Sequence, residues 1–163
     1  MKNYFLVIIF ACFSKISVGQ TDTSLIYLRF PTLPPFSLVK VPDSTRFTKA
    51  DLHRKKATLI FIFSPDCEHC QLETRDLLNH IDLYKKVQIV MASPLDYELI
   101  KQFYDQYKIG EYPNIIMGRD PSFFFGGFYN VKTYPSIFLY NKKGKFVKAF
   151  DGTVPVEKIA EFL

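Results

Sequence analysis

The chain of 163 residues carries a net charge of +5, 17% aromatic residues, no tryptophan and three cysteines. That length suits one domain, and the aromatic content supplies one core. The basic excess is mild and scattered, which argues against a nucleic-acid partner, and the few cysteines exclude a scaffold built on disulfides.

Residues 1–19 read as a secretory signal rather than as part of the fold. Met1-Lys2-Asn3 is a short basic start, Tyr4 to Phe13 is an apolar run, and Ser17-Val18-Gly19 offers small residues for cleavage before Gln20. The run is too short for a normal membrane span. An uncleaved N-terminal anchor is the alternative. A lipoprotein reading at Cys12 is weaker, because Phe10 sits where a small residue is expected. Cleavage removes Lys2 and Lys15, lowers the net charge to +3, and leaves Cys67 and Cys70 as the two cysteines of a domain over residues 20–163.

Gln20 to Ser24 is polar and reads as a frayed start. Leu25 to Phe30 reads as an extended edge segment, and Pro31, Pro34 and Pro35 follow it. Phe36 to Val41 alternates as a strand does. Pro42-Asp43-Ser44 turns the chain, and Thr45 to Phe47 returns as a short strand. Thr48 is placed to cap a short helix over Lys49 to Leu52. Ala57 to Phe63 is a continuous apolar run, the pattern of a strand buried on both faces.

Ser64-Pro65-Asp66 breaks that run, and a helix is predicted from about Cys67 to Leu83. Leu72, Leu77, Leu78 and Ile81 are its expected apolar face, with Arg75, Asp76 and Asn79 toward water. Val87 to Ala92 is a second buried strand. The next helix, about Leu95 to Tyr107, is expected to turn Leu99, Ile100, Phe103 and Tyr107 inward. A short strand at Ile115 to Met117 and a short helix over Pro121 to Tyr129 follow, with Phe123-Phe124-Phe125 read as core. Ser136 to Tyr140 and Lys145 to Phe150 form a hairpin about Asn141-Lys-Lys-Gly144. Pro155 starts a last helix. The order is α/β, with a parallel first half and an antiparallel end.

The chemistry concentrates where the buried strand meets the first long helix. Cys67 and Cys70 are three apart at a helix start, so their side chains share one face. Exposed amides and the positive end of the helix dipole favour a thiolate at the first position. A protonated His69 acts in the same sense, while Asp66 and Glu68 oppose it. Glu73, three residues after Cys70, is spaced to exchange a proton with it, or else is an ordinary solvated glutamate. A zinc site needs two more ligands. His69 is the one nearby candidate, so no metal is expected. His53 and His80 are read as surface residues.

Buried strand, Cys67-Glu-His-Cys70, helix, strand, helix and then Tyr134-Pro135 before a hairpin resemble the thioredoxin fold. It has a central mixed β-sheet flanked by helices, here with an N-terminal β extension. Leu33-Pro-Pro-Phe-Ser-Leu-Val39 and Asp51-Leu52 are similar to the front half of TlpA/ResA-like exported thiol–disulfide oxidoreductases. The resemblance covers about Pro34 to Leu163. It implies that Cys67 attacks a substrate disulfide and that Cys70 resolves the mixed disulfide, so the pair cycles through a Cys67–Cys70 disulfide. It implies a cis Pro135 against the sulfurs, with the backbone of Tyr134 pairing to substrate, and it matches Glu73 to a glutamate of ResA-type relatives. It also implies protein thiol substrates, no cofactor, a membrane-embedded electron donor, a monomer, and a place in the periplasm or bacterial cell envelope.

Two positions depart from that family. Asp66 stands where a tryptophan is usual, and His69 where proline is frequent. Both redox directions stay open, with reduction favoured by the resemblance and oxidation by His69. Two other functions compete. In a peroxiredoxin-type peroxidase Ser64 fits the site motif, but Ile60 occupies the place of its proline. A redox-silent carrier would use Cys67, Cys70 and His69 as soft ligands.

Overall fold

The computed structural model describes residues 25–163, so the expected signal segment, Cys12 and the polar start before Leu25 lie outside the described residues. A seven-stranded mixed sheet runs through the middle. Its strands are β1 (Ser37–Lys40), β2 (Arg46–Thr48), β3 (Ala57–Ile62), β4 (Val87–Ser93), β5 (Ile115–Arg119), β6 (Ser136–Tyr140) and β7 (Phe146–Asp151). Their order across the sheet is β2-β1-β5-β4-β3-β6-β7. β3, β4 and β5 are parallel neighbours, and the outer pairings are antiparallel.

Every residue of β3, β4 and β6 is buried, which is why those stretches read as unbroken apolar runs. Successive side chains still alternate between faces. Leu59, Phe61, Ile89, Met91, Ile137 and Leu139 meet one layer of helices: α2 (Glu68–Asn79), α3 (Tyr97–Gln106) and α5 (Val156–Ala160). Ile60, Ile62, Val90, Ala92, Phe138 and Tyr140 face the other way, where Phe125 and Tyr129 of α4 (Phe124–Tyr129) and Tyr27 of α1 (Ile26–Arg29) cover them. Among the described residues, no helix is long and apolar enough to cross a membrane.

The N-terminal extension joins the same sheet, because β1 pairs with β5 at Val39 opposite Arg119. Thr48 caps the 3-10 turn Lys49–Asp51 in a reciprocal capping box with Asp51. The hairpin turn forms as expected. Asn141 Oδ1 accepts from the amides of Lys143 and Lys145, and Gly144 takes the positive φ of 68° that a side chain would resist.

Four expectations need correction. Leu25 to Phe30 is not extended: Ile26–Arg29 is a helical turn that carries the ring of Tyr27 to within 5.2–5.8 Å of Phe146, Phe138 and Tyr129. Leu72 and Leu99 are exposed rather than inward. On α2 the buried stripe is Cys70, Glu73, Thr74 and Leu77, the same i, i+3, i+4, i+7 spacing as an apolar stripe but with two polar members. The third correction is length: α2 ends at Asn79, and a 3-10 turn, Ile81–Tyr84, follows. Finally, Phe125 is core, but Phe123 is 63% exposed at a φ of 54° just before α4.

Candidate active site

β3 delivers the chain to the C-terminal edge of the sheet. Phe63 still donates its amide to Ala92, and then Ser64-Pro65-Asp66 turns away. Pro65 has no amide to give to a ladder. The turn is fastened locally: the Ser64 hydroxyl donates to Asp66, the Cys67 amide donates to the carbonyl of Ser64, and Gln71 Nε2 donates to the carbonyl of Pro65.

Cys67 is the N-cap of α2, with extended backbone angles. Its Sγ accepts the amide of Cys70 at 3.4 Å. A sulfur in that position takes up one of the free amide donors of the helix start and sits at the positive end of the dipole. The same sulfur lies 3.7 Å from the carbonyl oxygen of Tyr134, to which the thiol donates. Both cysteines carry free thiols. Cys67 is partly exposed, whereas Cys70 has no exposed surface. Burial, and then the hydrogen bond with Cys67, push the Cys70 thiol well up, against a smaller opposing effect of a backbone bond at Ser64.

Tyr134-Pro135 is a cis bond, and Pro135 is buried at the start of β6. Ser136 Oγ donates to the carbonyl of Thr133 and to Asp151, and the Gly152 amide donates to the carbonyl of Pro135. These bonds tie the Tyr134 loop to the end of β7. A second cis bond, Val41-Pro42, lies at the far edge of the sheet and had no signal in the sequence reading. Asp66, Glu68 and His69 are all exposed around the sulfurs.

Glu73 is not a solvated glutamate. It is 1% exposed on the inner face of α2. Its Oε2 accepts the Val154 amide at 3.1 Å, and its Oε1 has no partner. Burial raises its pKa to about 7, with the Val154 bond opposing and the charge of Asp76 adding to the rise. Asp76 in turn accepts the Val156 amide at 3.3 Å, and His80 reaches Asp76 at 3.1 Å and Glu157 at 3.2 Å. Four titratable side chains thus fasten the entrance of α5 to α2. Sequence reasoning missed this seam, because Asp76 and His80 carry no apolar signal and their partners lie about 80 residues away.

The site also has a buried acid that the sequence reading passed over. Asp120 is 3% exposed, accepts the Phe125 amide at 2.8 Å and the Ser122 hydroxyl at 3.0 Å, and lines a shallow groove with Pro94, Phe123, Phe125 and Tyr134. Tyr134, whose carbonyl the Cys67 thiol meets, is one wall of the groove. Asp-Pro-Ser at 120–122 is the turn-forming signal that precedes it.

Residues 44–163 match the model of a family described as a thioredoxin-like domain. A search of curated proteins finds no match. Similar solved structures include a thioredoxin-like protein of Neisseria meningitidis, titled a putative thioredoxin (26% identity, 80% of this chain and 86% of that one, TM-score 0.66). They also include a secreted disulfide oxidoreductase of Mycobacterium tuberculosis (16% identity, 79% and 92%, TM-score 0.63). A third is an exposed lipoprotein thioredoxin of Streptococcus pneumoniae (20% identity, 80% and 100%, TM-score 0.60). With strand, capped cysteine, buried partner and cis-proline loop in this order, the chain belongs to the thioredoxin-like domain family.

Proposed function

We propose that this protein is an exported thiol–disulfide oxidoreductase that reduces disulfides in protein substrates. The observation that carries the reading is the asymmetry of the pair. Cys67 is reachable and holds the amide of Cys70 on its sulfur, while Cys70 is sealed beneath it. An attacking thiol needs access and a stabilised thiolate, and a resolving thiol needs neither until the substrate is bound.

In the reaction the Cys67 thiolate attacks one sulfur of a substrate disulfide. A mixed disulfide forms and the substrate's other sulfur leaves as a thiolate. Cys70 then loses its proton and attacks Cys67 Sγ, which releases the second substrate sulfur. The products are a Cys67–Cys70 disulfide and a substrate dithiol, so two electrons have moved to the substrate. The carbonyl of Tyr134 next to Cys67 gives an extended substrate strand a backbone partner. Glu73 is assigned the proton from Cys70, through water, because it shares the buried stripe and titrates near neutrality.

Export rests on the signal-like residues 1–19 and on the similarity to a secreted oxidoreductase and an exposed lipoprotein thioredoxin. A reductant in that setting needs a source of electrons, assigned here to a membrane-embedded donor. The chain acts as a monomer and takes no cofactor. The test is insulin reduction by dithiothreitol with and without a chelator, followed by equilibration of the Cys67–Cys70 couple against glutathione. Turnover that survives chelation, and a midpoint well below that of glutathione, support the reading. Turnover lost to the chelator supports a metal carrier, and a midpoint well above glutathione reverses the direction.

A further inference from the structure

The two ends of the sheet differ in charge. The C-terminal ends of the parallel strands lead to the cysteines, where exposed Asp66, Glu68, Asp96 and Glu98 are mixed with Lys132 and with Arg119, which pairs with Asp96. The opposite end is basic. Exposed Lys56, Lys85, Lys86, Lys142 and Lys143 line three adjoining grooves, the first joined to the second at Lys85 and the second to the third at Ala57, Lys142 and Leu163. Asp82 pairs with Lys85, and Glu111 is the other acid lining them. Among the described residues, Lys56, Lys86, Lys142 and Lys143 have no carboxylate partner.

Three large apolar side chains stand out among these lysines. Leu83 is 47% exposed, Phe162 44% and Leu163 46%. The chain also arrives at this end: the Leu33 amide donates to Gly144, Thr32 bridges to Lys145, and Phe30 is exposed just before them.

We propose that this basic end docks on an anionic lipid bilayer and turns the cysteines away from it. The composition selects the partner. Protein interfaces favour arginine and deplete lysine, whereas compact lysine charges beside half-exposed leucines and a phenylalanine packed edge-on against Phe150 suit a phospholipid surface, which offers diffuse charge and an apolar layer beneath. The mixed charge of the cysteine end gives an anionic surface no comparable hold, so the lysine end is the one it attracts. The catalytic thiol then faces clients on the aqueous side.

The test exploits the absence of tryptophan. A Leu83→Trp reporter in the full chain is titrated with vesicles of phosphatidylcholine alone or with about one-third phosphatidylglycerol. The expected result is a blue shift of emission on the anionic vesicles, lost at high salt and weakened about tenfold or more by Lys86→Glu with Lys142→Glu. The matched reversal Lys101→Glu with Lys132→Glu, of equal net charge and away from this end, retains the shift. A Leu99→Trp reporter, on the first turn of α3 toward the cysteine end, stays in water. Anchoring by residues 1–19 alone leaves both reporters in water and overturns the proposal. An equal shift on phosphatidylcholine, or an emission change with polyglutamate but with neither vesicle, overturns it too, the latter in favour of an acidic protein partner.

Discussion

Cys67 Sγ and the carbonyl oxygen of Tyr134 lie 3.7 Å apart, although 67 residues separate them in the chain. The loop that would pair with a substrate strand is therefore in contact with the sulfur that would attack it. Substitution of the buried partner separates the two steps of the reaction. Cys70→Ser is expected to accumulate mixed disulfides with client proteins through Cys67, seen as reductant-sensitive adducts on gels. If Cys67→Ser accumulates them and Cys70→Ser does not, the roles are reversed.

His69 sits between the cysteines in sequence and is exposed. A protonated imidazole there stabilises a neighbouring thiolate by attraction. His69→Pro is expected to lower the thiolate absorbance at pH 7 and to make the couple more reducing by roughly 30 mV, a tenfold change for two electrons. Unchanged absorbance and potential would show that the imidazole has no electrostatic part in the site.

Glu73→Gln keeps the shape and the acceptor for the Val154 amide but removes the base. The first attack by Cys67 is expected to keep the parent rate. Release of the mixed disulfide is expected to slow by about 10–100-fold and to lose the pH dependence that a buried carboxyl of raised pKa would give this step. Stopped-flow traces identical to the parent between pH 5 and 9 would reduce Glu73 to a structural hydrogen bond.

The same carboxyl makes stability depend on pH. Its pKa is raised on folding, from 4.5 to about 7. The folded state therefore binds the proton more tightly, and this contribution is full below about pH 4.5 and lost as pH rises through about 7, worth at most about 3 kcal/mol. His80 acts in the same direction. Its pKa is raised first by its bond to the Asp76 backbone and then by the charge of Glu157, so its contribution is present below 6.5 and lost above its folded value. Urea midpoints are expected to fall from pH 5 to pH 8. Glu73→Gln flattens the lower part of that fall and His80→Gln the upper part. A parent midpoint that rises over this range would contradict both assignments.

Gly118 on β5 tests the N-terminal extension. A Cβ there would lie 2.8 Å from the carbonyl oxygen of Val39 and 3.1 Å from Leu38 Cβ. Backbone cannot yield as a flexible side chain can, so Gly118→Ala is expected to force β1 from β5 and cost about 1–3 kcal/mol. Gly127→Ala, with open space around the added carbon, serves as the control. Equal midpoints for the two variants would mean that β1 adjusts freely.

Continuous apolar runs made the central strands legible. Ala57–Ile62, Val87–Ser93 and Ser136–Tyr140 are buried on both faces, and short runs bounded by turn residues and rich in β-branched or aromatic side chains fit a strand better than a helix. Cys67 and Cys70 were legible for a similar reason, since a helix start fixes how residues three apart are placed. The local turns at Thr48 and Asn141 followed from side chains that bond to their own backbone. Burial of polar groups was not legible. Glu73 reads as a surface residue until Val154, 81 positions later, brings an amide to its carboxylate and α5 closes over it. Leu72, one position earlier, reads as core and is left in water because the helix turns Glu73 inward instead. A local pattern reports which side chains share a face. Which face is covered, and whether a polar member of it finds a partner, depends on elements that only the closed tertiary structure brings together.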